Sequence, residues 1–304
     1  MPKIEVIEAI LESYIGEKLP VEDLETVFPC AKAELDGYDF REGVLKVELN
    51  DTNRPDLWST AGLGRQLKSY RGGKAFEYDF FSTGKETKDA DHRRVVVDEN
   101  LEDIRPYITA FAVTGKPIDD ATLKDLIQTQ EKLCWNYGQK RKAVAMGVYR
   151  SNLIKYPVRY TAVDPDATRF VPLGMEEKLS LREICEKHPK GVEFGGIVSQ
   201  FERFPFLTDA DGEVLSFPPV INSDRIGAVE EGDEELFIEM TGTDIKVLTL
   251  AASIVACDLA DAGYQILPVQ VEFPYDSELG STVVFPYYFQ EPVRLDADFT
   301  NKML

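Results

Sequence analysis

Apolar residues near the start of the chain recur at Ile4, Ile7, Leu11, Tyr14 and Ile15, in steps of three, four, three and one. That is the spacing of one helical face and predicts a short amphipathic helix over the first fifteen residues. The segment VEDLETVF, residues 21 to 28, predicts a further helical turn or two, and ELDGYDFREGVLKVELN predicts two strands around a turn centred on residues 37 to 43. After Pro55, the positions Leu57, Leu63, Leu67 and Tyr70 mark a helix that Gly72 and Gly73 stop. Residues 1 to 80 therefore form a small N-terminal α+β unit.

Residues 76 to 91, FEYDFFSTGKETKDAD, turn from aromatic to charged and polar and read as the linker to a second, larger unit over residues 90 to 275. RRVVVDEN and YITAFAVTG are strand-like, and a helix follows from Asp119 or Asp120 with an apolar stripe of Leu123, Leu126, Ile127, Leu133 and Cys134. AVAMGVY, GEVLSF, LFIEMTG and ILPVQVEF predict more strands, with a long helix over residues 245 to 259 between the last two. The fold class is α+β, with a mixed β-sheet covered by helices in the larger unit, and residues 276 to 304 begin a further domain.

Composition narrows the function classes. Hydrophobic residues make up 43% and charged residues 29% of the 304, a balance that builds a packed core. No stretch approaches the roughly 20 apolar residues of a membrane span, and Glu5, Glu8 and Glu12 interrupt the start where a secretory signal needs an apolar run, so the expected location is cytoplasmic. The net charge of −20 opposes general nucleic-acid binding, so DNA is not expected as a partner and any RNA must meet a local basic patch. Cys30, Cys134, Cys185 and Cys257 form no Cys-x-x-Cys pair, and His92 and His188 are the sole histidines, which leaves little material for zinc, a disulfide framework or a His-based triad.

Three local signatures carry the candidate chemistry. In Asp51-Thr52-Asn53-Arg54-Pro55-Asp56-Leu57, Pro55 fixes a turn, the acidic and amide side chains can cap backbone donors, and Arg54 can pair with a carboxylate. Gln130-Glu131-Lys132-Leu133 is followed by Asn136, the cation run Lys140-Arg141-Lys142 and Val144-Ala145-Met146-Gly147. The cations either contact phosphate or form a solvated face, and the basic residues between positions 124 and 159 are the most obvious RNA-facing cluster. The third signature joins Leu207, the segment VLSFPPVIN with Ser216, and LFIEMTGTD with Glu239 and Thr241. Strand alternation puts Phe237, Glu239 and Thr241 on one face and Leu236, Ile238 and Met240 on the other. A carboxylate among such neighbours lies at a solvated edge, in a structural salt bridge, or in a pocket with polar tips. Gly242, Thr243 and Asp244 then open a helix whose N-terminal N–H groups favour negative charge. A strand ended by two prolines is the plain structural account of the Ser216 segment.

NDTNRPDLW, IRPY at residues 104 to 107, QEKL followed by RK and VAMG, LSFPPVIN and FIEMTGTD occur in an order that resembles the β subunits of phenylalanyl-tRNA synthetases, of the archaeal and eukaryotic type. The resemblance runs over almost the whole chain, and the ordered set is far more specific than any one motif. It implies an N-terminal domain and a tRNA-editing domain, with PVRLDADFTNKML resembling the opening of the next module, so that an N-terminal piece of a longer subunit is expected. It further implies an α subunit carrying the aminoacylation site in an α2β2 ligase, tRNA(Phe) as RNA partner, and ATP and Mg2+ for the holoenzyme, with no cofactor or metal in this chain. The editing reaction implied is hydrolysis of tyrosine wrongly esterified to tRNA(Phe).

Carried over motif by motif, the resemblance places Leu207 in the ring-binding wall, Ser216 and Thr241 as polar groups near the scissile ester or ring, and Glu239 as acceptor for the phenol, where some relatives have Asp. Relatives usually carry Arg eleven positions before the pocket carboxylate. This chain has Ala228 there, and Arg225-Ile226 resembles the same Arg-Ile pair displaced by a three-residue insertion. Lys140, Arg141, Lys142 and Arg225 are the RNA-binding candidates. With no activated nucleophile in view, the expectation is attack by water, oriented by the pocket and the terminal ribose hydroxyl. A non-catalytic RNA- or subunit-binding module is the alternative. A small-molecule hydrolase is disfavoured because no nucleophile elbow or metal spacing is present.

Overall fold

The computed structural model describes residues 2–50, 53–72, 76–81, 90, 92–288 and 294–303. The chain opens with a strand, β1 (Lys3–Ile7), and only then a helix, α1 (Glu8–Ile15). The expected fifteen-residue helix is thus corrected. In KIEVI the apolar Ile4 and Val6 alternate with charged Lys3 and Glu5, and this period of two wins because both apolar side chains are buried against a partner strand. The spacing from Ile4 to Leu11 spans a strand and a helix joined end to end. Next come α2 (Val21–Val27), β2 (Ala33–Asp39), β3 (Val44–Leu49) and α3 (Thr60–Gly72). The strands make an antiparallel sheet in the order β1-β3-β2. Helices α1 and α3 approach closely at Gly64, where a Cβ would come within 2.5 Å of Tyr14 Cβ. Asp51, Thr52, Gly73 and most of the expected linker lie outside the described residues. Arg54 pairs with Asp56 at 2.7 Å.

The larger unit begins with β4 (Arg94–Val97), β5 (Tyr107–Thr114), α4 (Asp120–Lys132) and β6 (Val144–Arg150). Asp119 caps α4 by accepting from the Thr122 N–H at 2.7 Å. Sequence periodicity missed β7 (Val158–Val163), the small pair β8 (Arg169–Phe170) and β9 (Leu179–Ser180), α5 (Leu181–Lys187), α6 (Pro189–Phe194) and β10 (Phe204–Thr208). Then follow β11 (Val214–Phe217), β12 (Ile221–Asn222), α7 (Asp224–Gly227), β13 (Leu236–Gly242), α8 (Ile245–Asp261), β14 (Gln265–Ser277), β15 (Gly280–Phe285) and α9 (Ala297–Met303).

Among the described residues the large sheet has ten strands in the order β12-β11-β10-β7-β4-β14-β5-β13-β6, with β15 paired to β14. It is mixed, since β4 runs parallel to both β14 and β7 while the other strand pairs along the path are antiparallel. Because β14 continues to Ser277 and pairs with β15, the sheet extends past residue 275. Every residue of β13 is buried, as expected of a strand covered on both faces. One face, with Leu236, Ile238 and Met240, joins a core that runs through α8 into the N-terminal unit as far as Leu11 and Trp58. The other, with Phe237, packs against Tyr149, Tyr160, Leu207 and Leu215. Among the described residues no helix is long and apolar enough to cross a membrane.

Candidate active site

The period of two along β13 sends Glu239 and Thr241 to the same side, and β6 lies antiparallel beside it with Gly147 opposite Glu239 and Tyr149 opposite Phe237. On the far side of this layer, β10 and β11 pair so that Leu207 stands opposite Ser216. The Tyr149 hydroxyl lies 2.7 Å from Glu239 Oε1 and 2.9 Å from Ser216 Oγ. A phenol has one hydrogen, so it donates to the carboxylate and takes the hydrogen of the serine. Gly147 makes the meeting possible. A Cβ there would sit 2.1 Å from the Tyr149 hydroxyl and 2.5 Å from Glu239 Oε1.

All four candidates are enclosed: Glu239 is 3% exposed, Ser216 2%, and Leu207 and Thr241 have no exposed surface. Burial is the main cause that lifts the Glu239 carboxyl to about 7, against the Tyr149 hydrogen bond and the positive charge of Arg105, which pull it down. Among the described residues Glu239 Oε2 has no hydrogen-bond partner. Of the three placements open to Glu239, the solvated edge is removed, and among the described residues no direct cation bond makes a salt bridge of it.

Arg105, from the IRPY segment, is the organising residue that pattern reading passed over. It is buried, its Nε donates to Thr241 Oγ1 at 2.9 Å, and Nη2 donates to the Thr241 carbonyl. The remaining N–H groups reach the carbonyls of Lys142 at 3.0 Å and Arg141 at 3.1 Å. Burial lowers its pKa, while Tyr160 and Glu239 favour its charge. With Thr241 Oγ1 accepting from Arg105, its own hydrogen is directed to the Tyr160 hydroxyl. The Tyr160 hydroxyl closes the layer by donating to the Arg105 carbonyl at 3.0 Å. Arg105 lies in the IRPY motif and Tyr149 ends the strand-like AVAMGVY, but only strand register reveals what they face.

The cation run is divided. Gln139, Lys140 and Arg141 have φ of 51°, 56° and 68°, a left-handed turn that points Arg141 inward. Its Nη1 donates to the carbonyls of Pro219 and Val220 at 3.1 and 2.9 Å, and its guanidinium stacks 4.1 Å from the Phe194 ring centre. Lys140 lies over Trp135, 4.9 Å from the ring centre, and Lys142 is exposed. Arg225 is exposed and paired with Glu213 at 2.7 Å. The N–H groups that open α8 are taken by its own cap, since Asp244 accepts from Lys246 and Val247 at 2.9 and 3.0 Å.

A cavity of about 950 Å³ opens along the outer edge of β6, lined by residues that include Trp135, Arg141, Met146, Phe194, Asn222 and Ala228. Its wall adjoins the buried cluster: Met146 and Val148 flank Gly147, and Asn222 is the strand partner of Ser216. Ala228 therefore borders this cavity, and the candidates Leu207, Ser216, Glu239 and Thr241 lie behind its wall. No group of three or more His, Cys, Asp or Glu side chains that could hold a metal occurs among the described residues.

No family model matches the chain. Over 306 aligned residues it is 47% identical to the phenylalanine–tRNA ligase β subunit of Borrelia garinii subsp. bavariensis, covering all of this chain and 54% of that one. The corresponding subunit of Borreliella afzelii is 46% identical, with 100% and 53% covered. The chain thus spans about half the length of the curated relatives it matches. Among solved structures, an N-terminal fragment of the phenylalanyl-tRNA synthetase β-subunit from Pyrococcus horikoshii is 34% identical and superposes with a TM-score of 0.90 over 99% of this chain and 84% of that one.

Proposed function

The chain belongs to the family of phenylalanine–tRNA ligase β subunits, and from that premise we propose that its larger unit is an editing hydrolase that cleaves tyrosine from mischarged tRNA(Phe). One observation carries the reading: Glu239 and Ser216 already hold a phenolic hydroxyl between them, at 2.7 and 2.9 Å. A site that hydrogen-bonds a substrate hydroxyl rejects the analogue lacking it by a wide margin, whereas a site shaped for Phe excludes Tyr less well. Leu207 supplies the apolar wall for the ring. Thr241, pinned by Arg105, is the polar group beside the ester, and Ser216 shares its polar contacts with the phenol.

Water is the nucleophile in this proposal. The thiol nearest the cavity wall, Cys134, is pushed up to about 11 by burial and stays protonated at neutral pH. The adjoining cavity of about 950 Å³ has the dimensions of a small-ligand site and gives room for the terminal nucleotide, whose ribose hydroxyl orients the water. The partners in this reading are an α subunit in an α2β2 ligase and tRNA(Phe), with ATP and Mg2+ serving the aminoacylation site of the complete enzyme in the cytoplasm. The archaeal and eukaryotic subunit type is favoured by the Pyrococcus horikoshii match, while the Borrelia relatives, which are bacterial, do not bear it out.

A second reading, a non-catalytic RNA- or subunit-binding module, is favoured by the complete enclosure of the four candidates. Hydrolysis of Tyr-tRNA(Phe) and Phe-tRNA(Phe) by the synthetase carrying this chain separates the two. Glu239→Ala is expected to erase the preference for Tyr, by about 100-fold or more in kcat/KM. Preference retained in that variant removes Glu239 from the role, and no hydrolysis by the unmodified enzyme leaves the binding module.

A further inference from the structure

We infer that Tyr149 is a resident competitor for the phenol seat of Glu239 and Ser216, so that an incoming tyrosyl group is admitted only when the chain's own tyrosine leaves. The inference rests on the editing reading of this cluster and adds how the site is kept shut. The Tyr149 side chain has no exposed surface, its hydroxyl makes both hydrogen bonds the seat offers, and its ring leans on Phe237 with centroids 6.1 Å apart. The space it fills is shaped for a phenol tip: Gly147 lies directly beneath, and a single added carbon there would overlap the hydroxyl at 2.1 Å. Two phenols cannot share that volume.

The exchange has a definite consequence. A substrate tyrosine replaces one phenolic hydroxyl by another, so the hydrogen bonds of Glu239 and Ser216 are restored on binding. A substrate phenylalanine would displace Tyr149 and leave a buried carboxylate and a buried hydroxyl without that partner, in a cluster where Glu239 Oε2 already has none among the described residues. The resident tyrosine does not alter the ratio of the two affinities, because both ligands must displace the same group. It lowers both by one factor, the fraction of time the seat is open. Correctly charged Phe-tRNA(Phe) thereby falls below useful binding, while Tyr-tRNA(Phe) remains above it.

Two experiments test this, one of them independent of tRNA. In the synthetase carrying this chain, Tyr149→Phe keeps the ring but removes the hydroxyl that holds it in place. KM for Tyr-tRNA(Phe) is expected to fall by about tenfold, the factor for a seat otherwise open one-tenth of the time, and kcat/KM for Phe-tRNA(Phe) to rise in proportion. A merely structural tyrosine predicts the reverse, a loss of kcat/KM on both substrates, and that result overturns the inference. In the second experiment the 304-residue chain with Tyr149→Ala is melted with p-cresol or toluene. Stabilisation by p-cresol well beyond that by toluene, and by neither in the unmodified chain, supports a phenol seat vacated by the substitution. Equal effects of both compounds overturn it. If the unmodified synthetase does not hydrolyse Tyr-tRNA(Phe), the editing reading fails, and the p-cresol result alone decides whether Tyr149 occupies a phenol seat. If Tyr149→Ala does not fold, the Tyr149→Phe kinetics decide.

Discussion

Two arginines, Arg65 half-buried and Arg105 buried, hold this molecule together in opposite ways. Arg65 of α3 donates to Asp258 and Asp261 of α8, both at 2.8 Å, across the seam between the N-terminal unit and the larger one. Burial works against its charge, but the two carboxylates outweigh burial and hold its pKa above the ordinary value. Among the described residues Arg105 bonds no carboxylate. Its donors end on three carbonyls and one hydroxyl, and burial, the larger influence, leaves its pKa below the ordinary value. In the seam, charge is cancelled where it stands. In the candidate site, the cation and the Glu239 carboxylate are each dressed by neutral dipoles and stay unpaired with one another. The seam cancels its charges in direct pairs, whereas the candidate site holds its two charges apart.

The largest expected effect breaks the two arginines one at a time. Arg105→Met should cost about 4 kcal/mol or more, because several buried acceptors lose their donors together. Arg65→Met should cost about 3 kcal/mol at pH 8, the usual result of stranding a buried charge. In a Glu239→Gln background, which removes the carboxyl that the Arg105 charge pulls down, pH then tells them apart. Asp258, raised to about 6 chiefly by burial, takes up a proton as pH falls to 5 and relieves the Arg65 variant, while the carbonyls around position 105 do not titrate. Urea denaturation at the two pH values checks both, and equal relief at the two positions would mean that the two arginines are held alike.

A smaller effect sharpens the site side of the comparison. Glu239 has a folded pKa of about 7, above the 4.5 of the free side chain, so between those values the folded state holds more protons than the unfolded one. Stability from this group is therefore full below about pH 4.5 and is lost as pH rises through 7, by about 3 kcal/mol in total. Glu239→Gln cannot ionise. The stability of the parent relative to this variant should fall by that amount from pH 4.5 to 8, measured in parallel denaturant titrations. A flat difference would mean that Glu239 titrates near its ordinary value.

Much of this was legible in the sequence, and the limits have physical causes. Alternation in LFIEMTG placed Glu239 and Thr241 on one face, and the long apolar run of α8 announced a buried helix. Leu207 and Ser216 became neighbours only through cross-strand register, in a strand, β10, whose phenylalanines and proline gave no clean period. Tyr149 and Arg105 were invisible as site residues because their roles depend on which strand lies beside which, at separations of 90 and 136 residues from Glu239 and Thr241. The first strand was mistaken for helix because two apolar residues of a strand happened to continue the stripe of α1.

The smallest expected effect concerns the cation run, where the same contrast of spent and unspent charge recurs within three residues. Arg141 is committed to the carbonyls of Pro219 and Val220 and to the Phe194 ring. Burial, the first cause of its lowered pKa, marks it as part of the fold. Lys142 is exposed, and Lys140 covers Trp135 while its ammonium stays in solvent. Arg225 is exposed in its pair with Glu213, an arrangement that a phosphate can compete with. Lys140→Ala and Lys142→Ala should each change stability by less than about 0.5 kcal/mol. If they meet the tRNA backbone, each should weaken tRNA(Phe) binding by the synthetase and reduce the slope of log K against log salt by about one. Arg141→Ala should instead cost about 2 kcal/mol of stability, since two carbonyls lose a charged donor, and leave the salt slope where it was. A slope that drops for Arg141 and holds for the lysines would reverse the division between the cation that builds the turn and the cations that remain available to RNA.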